Sequence, residues 1–169
     1  GRLDVAAVER EIQEGLNDLR LIIDSLDSVG ESLGVALKAF RERAERQLAG
    51  AGIAPAWSVG DLEGVRLDPQ ALLDVFRILQ EAVSNVIAHS GAASVSISVL
   101  RENGKLLIVV ADDGRGFEPD GAIGHGKGLA NMRARAERLR ADLQVTSTRN
   151  GGSRIAVVLP LKAHEKSAL

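Results

Sequence analysis

Residues 94 to 112 restrict the fold more than any other stretch of this chain. "SVSISVL" (94 to 100) alternates polar and apolar side chains, "ENG" follows, and "KLLIVVAD" (105 to 112) is a nearly continuous apolar run. Period-two alternation places successive side chains on opposite faces of a strand, and Asn-Gly suits a tight turn, so the stretch predicts a β-hairpin. Helical spacing surrounds it, and three helices packed against one sheet is the economical architecture.

Helical spacing is plainest near the N-terminus. From Leu3 to Leu26 apolar residues at Val5, Val8, Ile12, Leu16, Leu19, Ile22 and Ile23 recur at three and four positions, and Leu33 to Leu48 resumes the pattern after the turn "DSVGES". "AGAGIAP" with Gly50, Gly52 and Pro55 breaks the second helix, which puts a domain boundary there: 1–50 helical, 51–163 the main domain, 164–169 a polar tail. Ala56 to Val59 reads as a short strand. Asp68-Pro69 supplies an N-cap and a proline at the first helical position, opening a helix through "QEAVSNVIAHS" (80 to 90). A further helix is expected from about Leu129 to Leu139, then strands near 143–147 and 153–159.

Composition excludes several classes. With 21 basic and 23 acidic residues, net charge -2 and no long basic run, direct nucleic-acid binding is not expected. The absence of cysteine removes disulfides, thiolate zinc sites and cysteine nucleophiles. No stretch approaches the roughly 18 to 20 apolar residues of a membrane span, so no membrane contact is expected from this segment.

The chemistry-bearing residues fall in three places. In "QEAVSNVIAHS", Glu81, Asn85 and His89 recur every four residues and form one polar stripe along the helix. "DDGRGF" (112 to 117) ends an apolar strand with two carboxylates, then Gly114 and Gly116, which permit positive φ and close backbone approach to a ligand. "GHGKGL" (124 to 129) puts three alternate glycines before a helix, where free amides and the helix dipole favour phosphate. Each alone is weak: a polar stripe is usually a solvated face, and glycine patterns are often plain turns. Their order carries the reading.

Together with "NGGSRIAVVLPL", these segments resemble the N, G1, G2 and final glycine boxes of the ATP-binding domain of bacterial sensor histidine kinases, a branch of the Bergerat-fold ATPases. "GLANMRARAERL" and the upstream "LNDLRLIIDSLD" are similar to the nitrate-sensor subfamily, whose partners are response regulators with helix-turn-helix output domains. The resemblance implies an α+β fold, a two-layer sandwich with a mixed, mostly antiparallel sheet of about five strands under three helices, preceded by helical segments. It implies ATP and Mg²⁺ as ligands, with the Asn85 oxygen on Mg²⁺ and Glu81 holding a metal-bound water or accepting a proton. His89 and Ser90 lie near the phosphates, and Asp112 accepts the adenine amino group. Asp113 holds a place often filled by asparagine. Gly114 and Gly116 pass under the nucleotide, and Phe117 flanks the pocket. Glu118 to Lys127 forms a lid with Gly124, Gly126 and Gly128 as hinge and phosphate cradle, beside Leu129, while His125 and Lys127 add positive charge. Gly152 closes the floor, and Ser153 stands where the family commonly has threonine. Outside the boxes, Trp57 reads as packing and His164 as incidental; Arg115, His125 and Lys127 taken singly read as solvated residues.

A sensor histidine kinase phosphorylates a histidine on a dimerisation helix, but His89, His125 and His164 are the only histidines and none lies on the N-terminal helices. The expectation is a fragment whose phosphoacceptor lies upstream of Gly1, which binds ATP without phosphorylating itself and belongs to a cytoplasmic region of a homodimeric sensor. Two rival readings stay open: a stand-alone serine kinase of anti-sigma-factor type, and a degenerate interaction module.

Overall fold

A computed structural model describes residues 33–117 and 126–161. The first amphipathic helix over Leu3–Leu26, the stretch Glu118 to His125 with Gly124, and His164 lie outside the described residues.

Helix α1 (Leu33–Gly50) buries Leu33, Leu37, Phe40, Ala44 and Leu48, one stripe at helical spacing. It stops where the sequence turns to glycine. Gly52 takes φ +73° and donates to Ala49 O, while Ile53 N–H reaches back to Leu48 O at 2.9 Å, a Schellman closure. Strand β1 (Ala54–Val59) follows, beginning two residues earlier than the spacing suggests. Helix α2 (Pro69–Asn85) opens as expected: Asp68 accepts a hydrogen bond from Ala71 N at 2.8 Å and proline occupies the first turn. The expected single helix to residue 90 is corrected, because the α-hydrogen bonding ends at Asn85 and a π-turn carries Val86–Ser90 to Gly91 at φ +62°.

The hairpin forms as the alternation requires. β2 (Ser94–Glu102) and β3 (Lys105–Asp112) pair antiparallel from Val95↔Asp112 to Glu102↔Lys105. The two-residue turn is Asn103 at φ +49° and Gly104 at φ +73°, the left-handed pair a type I′ turn needs. Helix α3 (Gly126–Leu139), β4 (Asp142–Ser147) and β5 (Ser153–Pro160) complete the domain. The five-stranded sheet runs β1-β2-β3-β5-β4, with only the β1–β2 pair parallel. The two-layer fold and mostly antiparallel sheet are therefore as expected.

Alternate residues of the strands face the helices. Val95, Ile97 and Val99, then Leu106, Ile108 and Val110, then Ile155, Val157 and Leu159 form one core with Leu37 and Phe40 of α1, Ile78 and Leu79 of α2, and Met132 and Ala136 of α3. Burying a Leu, Ile or Val side chain stabilises by about 1.5–3 kcal/mol, so a one-residue register slip that turned such a set outward would be prohibitive. α1 packs against the sandwich: the Phe40 ring lies 5.6 Å from that of Phe76, tilted to it, and meets Trp57 edge-on at 6.4 Å. Helical spacing showed that α1 has an apolar face, and only the fold shows what covers it.

α2 and α3 lie antiparallel. Asp74 in the second turn of α2 meets Arg138 in the last turn of α3, while Glu81 lies against Gly128 in the first turn of α3. The Glu81–Gly128 end of this helix pair belongs to the candidate site.

Candidate functional site

The stripe on α2 is continuous through its α-helical part. Asp74, Ile78, Glu81 and Asn85 are spaced four, three and four apart, so they share one face. Glu81 and Asn85 are half-buried, and the Asn85 carboxamide has no hydrogen-bond partner among the described residues. Beyond Asn85 the π-turn sets direction. Ser90 is buried, and its hydroxyl donates to Val86 O at 2.6 Å and accepts from Ala92 N at 3.0 Å. That hydroxyl closes the turn, and the Ser90 carbonyl is what faces the glycine segment. His89 is exposed, with its carbonyl accepting from Arg115 Nε at 2.8 Å.

The end of β3 is stitched to both neighbours. Asp112 Oδ1 accepts from Gly114 N at 2.8 Å, and Asp112 Oδ2 accepts from the Ser153 hydroxyl. Asp113 instead binds the start of β2 to the end of β3, since its carboxylate takes Ala93 N and Ser94 N, each at 2.9 Å, and Ser94 Oγ at 2.8 Å. The Ser94 hydrogen bonds, backbone first, with that of Ala93, hold the Asp113 carboxyl below its ordinary value against the opposing effect of burial. Arg115 N donates to Ser90 O at 2.9 Å, Gly152 N to Gly114 O at 2.9 Å, and Asn150 N to Arg115 O at 2.7 Å.

Glycine is required where these segments cross. A Cβ on Gly114 would overlap the Ser90 carbonyl, and one on Gly152, at φ +73°, would overlap the Asp112 carbonyl. Ser147 completes the floor: its hydroxyl donates to Gly152 O at 2.9 Å and accepts from Phe117 N at 2.8 Å, fixing the last described residue before the glycine-rich loop. Phe117 is half-buried there.

The start of α3 differs from expectation. Gly126 and Gly128 were expected as hinge residues ahead of a helix at Leu129, but the helix begins at Gly126 and takes Lys127, Gly128 and Leu129 into its first turn. First-turn amides have no intrahelical acceptor, so early entry into the helix brings the amides of Gly126, Lys127 and Gly128 to the site as donors suited to an anion. A Cβ on Gly128 would overlap the Glu81 carboxylate, which therefore lies against the positive end of α3. Lys127 is exposed, and Leu129 packs against the core.

The fold thus gathers Asp112, Gly114, Gly116, Gly152 and Ser153 at one end of the central strands, and Glu81 with Gly128 at the facing ends of α2 and α3. The Ser90 carbonyl, in the π-turn that follows α2, meets the first group at Gly114 and Arg115. Two contributors escaped the motif reading. Ser147 sits just outside the final glycine box, and Asp74 lies on the α2 stripe one α-helical repeat before Ile78.

A half-buried carboxylate set in a glycine cradle at the end of a central strand, with a second carboxylate against a helix N-terminus and an amide one turn from it, marks the candidate ligand site of this α/β sandwich. Residues 71–163 match the model of the histidine kinase-, DNA gyrase B- and HSP90-like ATPases, and the chain belongs to that family. Sensor protein VraS of Staphylococcus saprophyticus is 30% identical over 168 residues, and VraS of Staphylococcus aureus strain COL is 28% identical over 165. These alignments take in 97% and 95% of this chain but 46% of each relative, so the chain spans about half the length of the curated relatives it matches. The fold is shared with the histidine kinase domain of a blue-light activated kinase of Erythrobacter litoralis (TM-score 0.70, 20% identity, 86% of this chain and 72% of that one). It is also shared with the histidine kinase AdeS of Acinetobacter baumannii (TM-score 0.67, 17% identity, 90% of this chain and 80% of that one). Among the described residues no helix is long and apolar enough to cross a membrane.

Proposed function

We propose that the chain binds Mg²⁺ and ATP as the catalytic domain of a two-component sensor kinase, serving a phosphoacceptor histidine that is none of His89, His125 and His164. The observation that carries this reading is the placement of Asp112 in its glycine cradle at one end of the site, with Glu81 and the first turn of α3 at the other.

The residues fit such a ligand. Each Asp112 oxygen accepts one hydrogen bond from the protein and retains a lone pair for a further donor, as an exocyclic amine would supply. Asn85 presents a carboxamide oxygen with no protein partner among the described residues, a hard donor suited to Mg²⁺. Glu81, one turn away, would hold a water of that cation or take a proton. The amides of Gly126, Lys127 and Gly128 would donate to phosphate oxygens, and the exposed Lys127 ammonium would add charge at the same end. When bound, ATP supplies the γ-phosphoryl group. The chain's part is to orient it, since phosphoryl transfer is governed by positioning and electrostatic stabilisation. Ser90 contributes through the backbone it fixes, and Gly116 and Phe117 through the floor on which the nucleotide rests.

In this reading the parent protein is a homodimeric sensor of nitrate-sensor-like type, this domain lies on its cytoplasmic side, and its regulator carries a helix-turn-helix output domain. Calorimetric titration of ATP with and without Mg²⁺ tests the core of it. Affinity should fall at least tenfold in Asp112→Asn under both conditions and in Asn85→Ala only with Mg²⁺. A wild-type chain that binds no ATP would overturn the proposal.

A further inference from the structure

Asp74 is the one charged residue in the core of the described domain, 1% exposed among Leu72, Val75, Phe76 and Ile78. Arg138 grips it with both arms, Nη2 to Oδ1 at 2.6 Å and Nε to Oδ2 at 3.1 Å, while Gln70 Nε2 approaches Oδ2 at 3.4 Å and Arg135 Nε lies 4.0 Å from Oδ1. A well-packed apolar group would stabilise this position as well as a buried ion pair does, because desolvation consumes most of the Coulombic gain; what directional pairs supply best is register.

The register at stake is that of α2 against α3. Asp74 and Glu81 share a face two turns apart, about 10 Å along the axis, and the antiparallel partner presents Arg138 to the first and Gly128 to the second. Apolar contacts of Ile78, Met132 and Ala136 between these points permit sliding, whereas a bidentate guanidinium–carboxylate pair accepts one alignment. We propose that Asp74 and Arg138 are positioning residues: they pin α3 along α2 so that the Glu81 carboxylate meets the first turn of α3, where the phosphate chain is to be held. This rests on the Mg²⁺ and ATP site proposed above. Among the described residues no hydrogen bond or ion pair joins the pair to the adenine end, built by Asp112, Gly114, Gly152 and Ser153.

The test compares ATP and ADP affinities in Mg²⁺ by calorimetric titration for wild type, Asp74→Leu/Arg138→Leu, and both in a Glu81→Gln background. The pair variant should melt cooperatively, bind ADP within twofold of wild type, and bind ATP about tenfold more weakly, a coupling of the size found within one interaction network. In the Glu81→Gln background the same change should cost nothing further, because the pair acts through Glu81. Undiminished ATP affinity, an equal loss for ADP, or an equal loss in the Glu81→Gln background would each overturn the proposal. If the double variant does not fold, Arg138→Lys, which keeps the charge and loses the fork, decides by the same criteria. Failure of wild type to bind either nucleotide would sink the ATP reading and this inference together; wild-type binding with an indifferent pair variant sinks this inference alone.

Discussion

Ser153 faces Asp112 directly across the β3–β5 pairing and donates its hydroxyl to Asp112 Oδ2, while the Gly114 amide holds Oδ1 from the same strand's end. The carboxylate is thereby aimed before any ligand arrives. Ser153→Ala removes one of two bonds that fix its rotamer, a change of about 0.5–1.5 kcal/mol. The expected outcome is a loss of roughly threefold to tenfold in ATP affinity by titration, with Ser153→Thr within twofold because it keeps the hydroxyl. Equal losses in the two variants would show that the hydroxyl is not what matters.

Gly152 packs its α-carbon against the Asp112 carbonyl at φ +73°, and its amide donates to Gly114 O at 2.9 Å. Gly152→Ala meets both the left-handed backbone cost of about 1–2 kcal/mol and a clash with backbone that cannot move freely. Urea denaturation should show a destabilisation of at least about 2 kcal/mol. The exposed turn glycine Gly64, at φ +71° with open space around it, provides the control, and Gly64→Ala should cost only the backbone share.

Much of this architecture was legible in the sequence where one local rule decides the outcome. Alternation plus Asn103-Gly104 determined the hairpin, and Asp68-Pro69 determined the start of α2. The π-turn at Val86–Ser90 was not legible, because a one-residue widening of a turn leaves the apolar pattern of "VIAHS" unaltered. Asp74 carries no signal in the sequence, since its partner Arg138 is 64 positions away and only the antiparallel docking of α3 joins them. For the same reason the glycine pattern marks Gly128 as part of a phosphate loop and is silent on Glu81, which only tertiary structure brings against it.

Asp74 also makes a prediction about pH. Burial raises its pKa, but the Arg138 hydrogen bonds, then that of Gln70 and the charges of Arg138 and Arg135, more than offset this, and the carboxyl titrates below its ordinary value when folded. Its contribution is therefore complete above the ordinary carboxylate range and is lost as pH falls through the lowered value. Asp74→Ala should destabilise the fold at neutral pH by about 2–4 kcal/mol, less than the full effect of a broken buried pair because Arg138 is half exposed. Melting temperatures followed from neutral pH downward should converge for wild type and variant; a constant gap down to strongly acid pH would refute the linkage.

Gly128→Ala separates stability from function at the other end of the same helix pair. Alanine is favoured over glycine in a helix by up to about 1 kcal/mol, and position 128 lies in α3 without positive φ. The new methyl would occupy the space of the Glu81 carboxylate, the far end of a flexible side chain that can swing aside at little cost. The variant should therefore melt no lower than about 1 °C below wild type, since the helical gain offsets the displacement. Displaced, Glu81 no longer stands at the first turn of α3, and the methyl narrows the approach of a phosphate to the amides there. Affinity for ATP in Mg²⁺ should fall at least fivefold while ADP without Mg²⁺ binds within twofold of wild type. A melting temperature several degrees lower with unchanged ATP affinity would mean that Gly128 serves helix packing and that the contact with Glu81 has no part in holding the phosphate chain.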